Sequence, residues 1–364
     1  MSAPSRTPPS EQLNARQAFY RQISGQNLAP LWERVRGLVP RAPQPAAQPA
    51  HWKYSEVRAS LLQAGALLSA EEAERRVLIL ENPGLAGQSS VTGSLFSGLQ
   101  LLMPGERADP HRHAAGALRL FLEGSGAYTS VNGERTTMAP GDFVITPGGS
   151  WHAHGNQGPG PVIWLDGLDV PIVNFFNASF AEGEEEARMP APRPEGDCEA
   201  RYAGALLPDP PSAGAGAASG LASLPSPLLN YRYSRARQGL AVMQRNGPID
   251  PCQGVKLRYA NPLTGGEPLP TMTAALQLLA AGFETAPYRS TDGTVFVVVE
   301  GTGRSRIAGA VFDWQPSDVF VAPSWAVRQH RAETEAVLFS FSDRAAQEKL
   351  GFWREEDPSN VARQ

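Results

Sequence analysis

The feature that most constrains this 364-residue chain is an internal repeat. Four short segments recur in the same order at displacements of 176 to 179 residues, and chance does not produce such an ordered set. A period this long spans a whole domain, so the sequence predicts two copies of one β-fold rather than a solenoid. The matching segments are Asn82-Pro83 and Asn261-Pro262, Leu99-Gln100 and Leu276-Gln277, Glu123–Gly126 and Glu300–Gly303, and Asp142–Pro147 and Asp318–Pro323.

The repeated unit is predicted to have an all-β core. From Val77 onward, short runs of β-branched and aromatic residues alternate with Gly, Pro and Asn turns, which is typical of an antiparallel barrel. Upstream, apolar residues at three- and four-residue spacing predict an N-terminal helical lobe. We predict a helical segment over residues 1–76, a barrel over 77–180, a Gly/Ala/Pro-rich linker over 181–227 and a second barrel over 228–364.

Composition narrows the classes of function. With a net charge of −4 and no Lys/Arg cluster, the chain is not expected to bind nucleic acid, and its 41% apolar residues can bury two cores. Two cysteines, Cys198 and Cys252, are too few for a disulfide framework, which favours a reducing cytoplasm. No apolar leader follows Met1 and no run of about 18 apolar residues occurs, so we expect a soluble protein, neither exported nor membrane-spanning.

Histidines mark a metal site in the first barrel. The chain has six, and four of them are His111, His113, His152 and His154. Side chains alternate along a strand, so His111 and His113 face one side and point into one cavity. His152, on a later strand, can complete a set of three nitrogens on the same metal. The alternative is a group of polar histidines at strand ends, which is common for any one of them but not for two same-face pairs.

Two longer motifs contain these histidines. Gly105, His111, His113 and Gly124 have the spacing of the first cupin motif, and Gly141, Pro147, Gly149, His152 and Asn156 have that of the second. Ala117 replaces the usual glutamate ligand of the first motif. A three-histidine site of this kind resembles the gentisate 1,2-dioxygenase family, which includes salicylate and 1-hydroxy-2-naphthoate dioxygenases. Flanking segments that are also similar are Asn27–Glu33, Leu99–Glu106, Ala117–Arg119 and Val162–Pro171.

This resemblance implies a bicupin fold, two jelly-roll barrels, with Fe(II) held by His111, His113 and His152. Three neutral imidazoles on one face of Fe(II) leave the other positions open to a 2-hydroxybenzoate and O₂. The aromatic ring donates all four electrons, so no external reductant is needed. Zn²⁺ also accepts three nitrogens but has no redox chemistry for ring cleavage. Iron is therefore favoured, while Mn and Zn stay open from the ligands alone.

Other residues are assigned to the pocket. Arg119 lies two residues after Ala117 and shares its inward parity, so its cation can hold a substrate carboxylate. For Arg75 a surface position, and for Asp166 a turn position before Gly167, are the alternatives. The resemblance implies the catalytic residues His154 and Asp166, and the substrate-binding residues Arg75, Arg119, Gln100, Phe96 and Gly98.

The second barrel is predicted to lack a metal. The counterparts of the histidine pair are Tyr288 and Ser290, and that of His152 is Arg328. His330 is expected to be a surface histidine. The second barrel is therefore expected to be structural, packing against the first or building an oligomer, and the resemblance implies a homotetramer.

The function predicted is cleavage of gentisate with O₂ to maleylpyruvate by an Fe(II)-dependent dioxygenase. Salicylate or 1-hydroxy-2-naphthoate is the alternative substrate within the same mechanism. An alternative of another class is a metal-containing cupin binding module without turnover. A cupin sugar isomerase is disfavoured, since it would prefer the glutamate that Ala117 replaces.

Overall fold

A computed structural model describes residues 10–183, 192–204 and 225–356. The chain divides into two compact units, one up to Gln44 and one from Pro45 onward. The first unit contains helices α1 (Ser10–Ser24) and α2 (Leu31–Leu38). Within it, Trp32 Nε1 donates to the hydroxyl of Tyr20, 2.8 Å away. The second unit contains both barrels. No helix in the described ranges is long and apolar enough to cross a bilayer.

The first barrel consists of two antiparallel sheets. The larger sheet has the order β12-β8-β5-β10-β3-β2, and the smaller has the order β11-β4-β9-β6-β7. Their strands are β2 (Val77–Ile79), β3 (Phe96–Leu102), β4 (Arg107–His113), β5 (Ala117–Glu123), β6 (Ala127–Val131), β7 (Glu134–Thr137), β8 (Phe143–Thr146), β9 (His152–Asn156), β10 (Val162–Leu168), β11 (Ala181–Gly183) and β12 (Asn230–Tyr231).

The second barrel repeats this plan. Its larger sheet has the order β1-β19-β16-β21-β14-β13, and β18-β17-β20 and β15-β22 form two smaller sheets. Its strands are β1 (Ala50–Trp52), β13 (Val255–Arg258), β14 (Thr273–Leu279), β15 (Arg289–Ser290), β16 (Thr294–Glu300), β17 (Gly303–Ile307), β18 (Ala310–Trp314), β19 (Val319–Ala322), β20 (Arg328–Ala332), β21 (Ala336–Ser342) and β22 (Glu355–Glu356).

Helices cover the barrels and connect them. Asn82 accepts from Gly84 N–H at the start of a single 3₁₀ turn, Pro83–Leu85, before β3. The helices of this unit are α3 (Tyr54–Leu67), α4 (Ala70–Ala73), α5 (Val170–Phe175), α6 (Asp197–Tyr202), α7 (Tyr233–Asn246) and α8 (Arg344–Leu350).

The two large sheets pack face to face across the main core. Alternate residues of each strand enter this core, among them Leu99 and Leu101 of β3 and Leu276 and Leu278 of β14. The remaining residues of the same strands point into their own barrels, so both faces are buried and the strands are apolar almost throughout. Each fully buried leucine contributes roughly 1.5–3 kcal/mol to folding.

Each barrel takes its edge strand from the segment that precedes the other barrel. Strand β1 pairs with β19 of the second barrel, and β12 pairs with β8 of the first. The exchange satisfies backbone groups that an edge strand would otherwise expose. Two strands lie outside the predicted barrels. Residues 50–52 form β1 in the stretch predicted to be helical, and residues 181–183 form β11 in the predicted linker. Residues 184–191 and 205–224 of that linker lie outside the described residues.

A matched pair of hydrogen-bond networks follows each exchanged strand. The N–H of Tyr54 donates to Asp318 at 2.8 Å and its hydroxyl donates to Glu123 at 2.7 Å. In the other half, Tyr233 donates from its N–H to Asp142 at 2.9 Å and from its hydroxyl to Glu300. We call these two networks the clasps. Each binds the helix before one barrel to both barrels.

Candidate metal centre and pocket

The structure brings the three predicted ligands together. His111 and His152 are paired across β4 and β9, and His113 lies two residues further along β4 on the same face. One nitrogen from each ring lies within 4.8 Å of the others. The ring centroids are 4.1 Å apart for His111 and His152 and 4.9 Å apart for His113 and His152. In the described ranges this is the one cluster of three or more such donors close enough to hold a metal ion.

Hydrogen bonds orient the three rings. Each Nδ1 lies close to a backbone carbonyl, at 3.2 Å from Asp109, 2.8 Å from Ala115 and 2.9 Å from Ser150. For His113 and His152 such bonds place the hydrogen on Nδ1 and leave Nε2 as the lone-pair donor, whereas Nδ1 of His111 also lies 2.6 Å from Nη2 of Arg75, which can only donate. Nε2 of His152 is buried and has no hydrogen-bond partner within the described part of the chain. A metal ion satisfies this atom, so the residues fit a three-nitrogen site.

The surroundings keep the imidazoles neutral, as ligation requires. Burial, followed by the charge of Arg75, lowers the pKa of His111 to about 3. Burial also lowers the pKa of His113, and burial and the charge of Arg119 lower that of His152. At neutral pH all three rings offer a lone pair.

Arg75 lies beside this cluster and not in the surface position considered as its alternative. It is half-buried, its Nη2 donates to the carbonyl of Asp109 at 2.9 Å, and the same atom is 2.6 Å from Nδ1 of His111. Glu74 has a positive φ of 50° at the end of α4, where the chain turns toward β2. A metal on Nε2 of His111 keeps a hydrogen on Nδ1, so Arg75 then has N–H groups available to an anion.

Arg119 and Asp166 form a buried pair on neighbouring strands. They are directly opposite in the β5–β10 register, with Nε of Arg119 3.2 Å from Oδ1 of Asp166. Arg119 also donates to Thr146 Oγ1 at 2.5 Å, and Trp164 Nε1 donates to Asp166 Oδ1 at 3.1 Å. Burial raises the pKa of Asp166 to about 6, against the opposing charge of Arg119. Asp166 lies inside β10, so the turn position considered for it is wrong.

His154 and Gln100 also lie on the inward face. His154 is buried, its Nδ1 is 3.0 Å from Thr129 Oγ1, and its ring centroid is 5.6 Å from that of His152. Burial lowers its pKa well below the usual range. Gln100 is buried opposite Trp164, and within the described chain its Nε2 has no hydrogen-bond partner.

Phe96 and Gly98 differ in their surroundings. Phe96, at the start of β3, is half-buried and lines a cavity of about 470 Å³ with Leu168. A Cβ at Gly98 would lie 2.5 Å from Cγ1 of Val77, so the absent side chain makes room for β2 against β3. An effect of Gly98 on substrate choice stays a prediction.

Sequence reasoning missed the residues that support this pocket. Thr129, Thr146 and Trp164 hydrogen-bond to His154, Arg119 and Asp166. All three supporting residues are buried. Strand parity was the available signal, since Trp164 and Asp166 share a face of β10.

In the second barrel, the positions equivalent to the three histidines are occupied by side chains that contact one another. Arg328 Nη2 donates to Ser290 Oγ at 3.2 Å, and the guanidinium stacks on Tyr288 at 4.8 Å. His330 is buried at 3% exposure, with Nδ1 2.7 Å from Ser305 Oγ, so its expected surface position is wrong. It packs on Phe296, which the local sequence around His330 does not reveal.

Comparisons with known proteins agree with this geometry. A family model described as a cupin domain matches residues 98–169. Gentisate 1,2-dioxygenase 1 of Aquipseudomonas alcaligenes is 50% identical over 93% of this chain and 96% of its own length. A 5-aminosalicylate 1,2-dioxygenase of Comamonas sp. is 34% identical over 93% of this chain and 89% of its own length.

Solved structures give the same result. The salicylate 1,2-dioxygenase of Pseudaminobacter salicylatoxidans is 34% identical and superposes with a TM-score of 0.85 over 97% of this chain and 99% of that one. The adduct of that enzyme with gentisate gives a TM-score of 0.84 at 33% identity over 97% of this chain and 95% of that one. The bicupin fold, the three-histidine cluster and these similarities together show that the chain belongs to the gentisate 1,2-dioxygenase family of ring-cleaving dioxygenases.

Proposed function

We propose that this dioxygenase cleaves gentisate with O₂ to maleylpyruvate, using Fe(II) bound by His111, His113 and His152. The observation that carries the proposal is Nε2 of His152, which is buried and has no hydrogen-bond partner among the described residues, within a set of three neutral imidazoles beside two arginines. Gentisate is favoured over the alternatives because the relative that is 50% identical acts on it, whereas the salicylate and 1-hydroxy-2-naphthoate enzymes are 34% and 32% identical.

Fe(II) supplies the one-electron chemistry that lets O₂ react with a closed-shell ring. Arg119 binds the substrate carboxylate, since it is 4% exposed and, among the described residues, Asp166 is the acidic group paired with it. Arg75 adds a second donor once its bond to Nδ1 of His111 is released.

Two further groups handle protons and position the ring. Asp166, whose pKa is raised to about 6, accepts the proton of a ring hydroxyl at Oδ2, since Trp164 and Arg119 engage Oδ1. His154, held by Thr129, presents Nε2 to the substrate or to O₂. Gln100 directs at a ring substituent its Nε2, which has no hydrogen-bond partner among the described residues.

We also propose that the enzyme is a cytoplasmic homotetramer. An exposed aromatic group at α5 supports an oligomer, because Phe175 and Phe176 are 79% and 60% exposed and Phe180 lies just beyond them. Light scattering of the purified protein tests the tetramer. A monomer at micromolar concentration would contradict it.

The experiment that tests the activity is oxygen uptake after anaerobic reconstitution. Fe(II), Mn(II) and Zn(II) forms are given gentisate, salicylate and 1-hydroxy-2-naphthoate in turn. We expect one O₂ consumed per gentisate by the iron form without NADH, because the ring supplies every electron. A requirement for reduced nicotinamide would indicate a hydroxylating enzyme instead, and substrate binding without O₂ uptake would indicate the non-catalytic module.

A further inference from the structure

The second barrel has a cavity where the first has its metal cluster. The cavity has a volume of about 660 Å³, which is in the range of small-molecule sites. Arg328, the counterpart of His152, lines it together with Tyr288, Lys256 and Asp292. Deeper in the barrel, Phe296 and Phe320 stack with centroids 5.0 Å apart and fill the interior. The open space is therefore confined to the mouth of the barrel.

Arg328 has hydrogen-bonding capacity that the described protein does not use. The residue is 5% exposed, and in the described ranges its Nη1 has no hydrogen-bond partner. Burying a guanidinium with an unmet N–H is costly unless another group is bound there. Gln277, on the same face of β14 as the cavity-lining Ala275, is also buried, with neither amide atom bonded to a described residue.

Three further cations line the cavity, of which Arg258 and Arg344 are paired with Glu267 and Glu348. Lys256 lines it from β13, and its Nζ donates to Gln253 Oε1 at 3.1 Å. The ammonium of Lys256 and the guanidinium of Arg328 thus line the same cavity.

The acidic groups in the cavity wall are already engaged as acceptors. Asp292 accepts from Thr294 and from Trp353 Nε1, and Glu355 accepts from the Tyr288 hydroxyl at 2.6 Å. Glu356 pairs with Arg289, and Asp250 accepts two backbone N–H groups. These bonds leave the carboxylates charged, and Asp292 is a charge partner of Arg328, so a ligand is selected by the unmet N–H of Arg328 and by Lys256, which favour an acceptor group such as a carboxylate.

We propose that this cavity binds a small carboxylate anion, held by Arg328 and Lys256, at a site separate from the metal cluster. The planar guanidinium fork matches a carboxylate, and the ammonium supplies a second point of charge. A short dicarboxylate can engage both cations.

The test is isothermal titration calorimetry of the iron-loaded enzyme with succinate, neutral succinamide and inorganic phosphate at constant ionic strength. Arg328→Gln should weaken succinate binding by about tenfold or more. Lys256→Gln should weaken it severalfold, and its exposed side chain can be replaced without disturbing the fold. Arg304→Gln is the matched control, because Arg304 is an exposed arginine of the same barrel paired with Asp313.

The first barrel also has arginines, so the same titration is made with His113→Ala. Unchanged succinate affinity in His113→Ala, together with loss in both cavity variants, supports the site. Loss in His113→Ala with normal binding by Lys256→Gln would assign the binding to the metal pocket and overturn the proposal. Equal binding of succinamide, tighter binding of phosphate than of succinate, or no binding at millimolar succinate would also overturn it.

Discussion

The two barrels have the same strand register but differ in the side chains at equivalent inward-facing positions. In the first barrel Arg119 lies opposite Asp166, and in the second the same positions are Phe296 and Ser340. Phe296 packs in an apolar interior cluster, whereas Arg119 is part of a buried polar network. The same strand arrangement thus accommodates both sets of inward-facing residues. These residues determine whether the interior of a barrel is a polar site or an apolar core.

Outside their interiors the two barrels have the same stabilising contacts. Both clasps use a tyrosine N–H on a buried aspartate and a tyrosine hydroxyl on a glutamate. Both large sheets present apolar faces to one core. The second barrel therefore covers an apolar face of the first.

The largest effect is expected from substituting a metal-ligating histidine of the first barrel, whereas the same change at the equivalent position of the second barrel should have no effect on activity. His113→Ala should lower activity by more than about a hundredfold, because the loss of even an outer partner of a metal site costs about 10–100-fold. Ser290→Ala, at the counterpart position, should leave iron content and activity unchanged. Elemental analysis and oxygen uptake measure both, and about one iron per chain is expected in the wild type. Full iron retention by His113→Ala would contradict the assignment.

Substitutions at the equivalent positions Arg119 and Phe296 should affect different properties, activity in the first barrel and stability in the second. Arg119→Ala should lower kcat/KM for gentisate by about thirty-fold or more at unchanged iron content, since losing one member of a desolvated charge pair costs roughly 2–5 kcal/mol. Phe296→Ala should instead lower the free energy of unfolding by about 3–5 kcal/mol with near-normal kinetics. Arg119→Lys keeps the charge without the planar fork, so it should recover activity in part. Wild-type kcat/KM in Arg119→Ala would remove that residue from the site.

Iron binding should stabilise one barrel locally. At free iron about a hundred times its Kd, binding adds about 2.7 kcal/mol to any opening that breaks the site. Hydrogen exchange followed by mass spectrometry should therefore slow in β4 and β9 on iron loading and stay unchanged in β20. Equal protection of β20 would show that the two barrels open as one unit, or that iron also binds in the second.

The smallest effects are expected from the clasps. Asp142→Ala and Asp318→Ala should each lower the free energy of unfolding by about 1–3 kcal/mol, because each leaves a tyrosine N–H without its acceptor. Asp142→Ala should cost more, since Arg232 loses an ion pair with Asp142 at 2.9 Å, whereas Asp318→Ala removes a longer contact to His51, at 3.2 Å. Asparagine at either position keeps an acceptor and should recover part of the loss. Urea unfolding measures these values, and a loss confined to one clasp would show that the barrels are not held symmetrically.

The sequence alone predicted much of the site. The spacing of His111, His113 and His152 placed three nitrogens on one face, and the parity of Arg119 with Ala117 pointed it inward. These inferences succeeded because alternation along a strand is a local property. The repeat predicted the two copies for a similar reason, since it requires the sequence to be compared only with itself.

Tertiary structure decided what depends on distant partners. The pairing of Ala50 with Val321, the burial of His330 and the position of Asp166 inside a strand are set by elements far along the chain. No local pattern encodes which edge a three-residue strand will join, because that choice depends on unpaired backbone groups elsewhere in the fold. The same holds for Arg328, whose residue type is evident from the sequence, but whose burial, with Nη1 unbonded to any described residue, follows from the fold of the barrel around it.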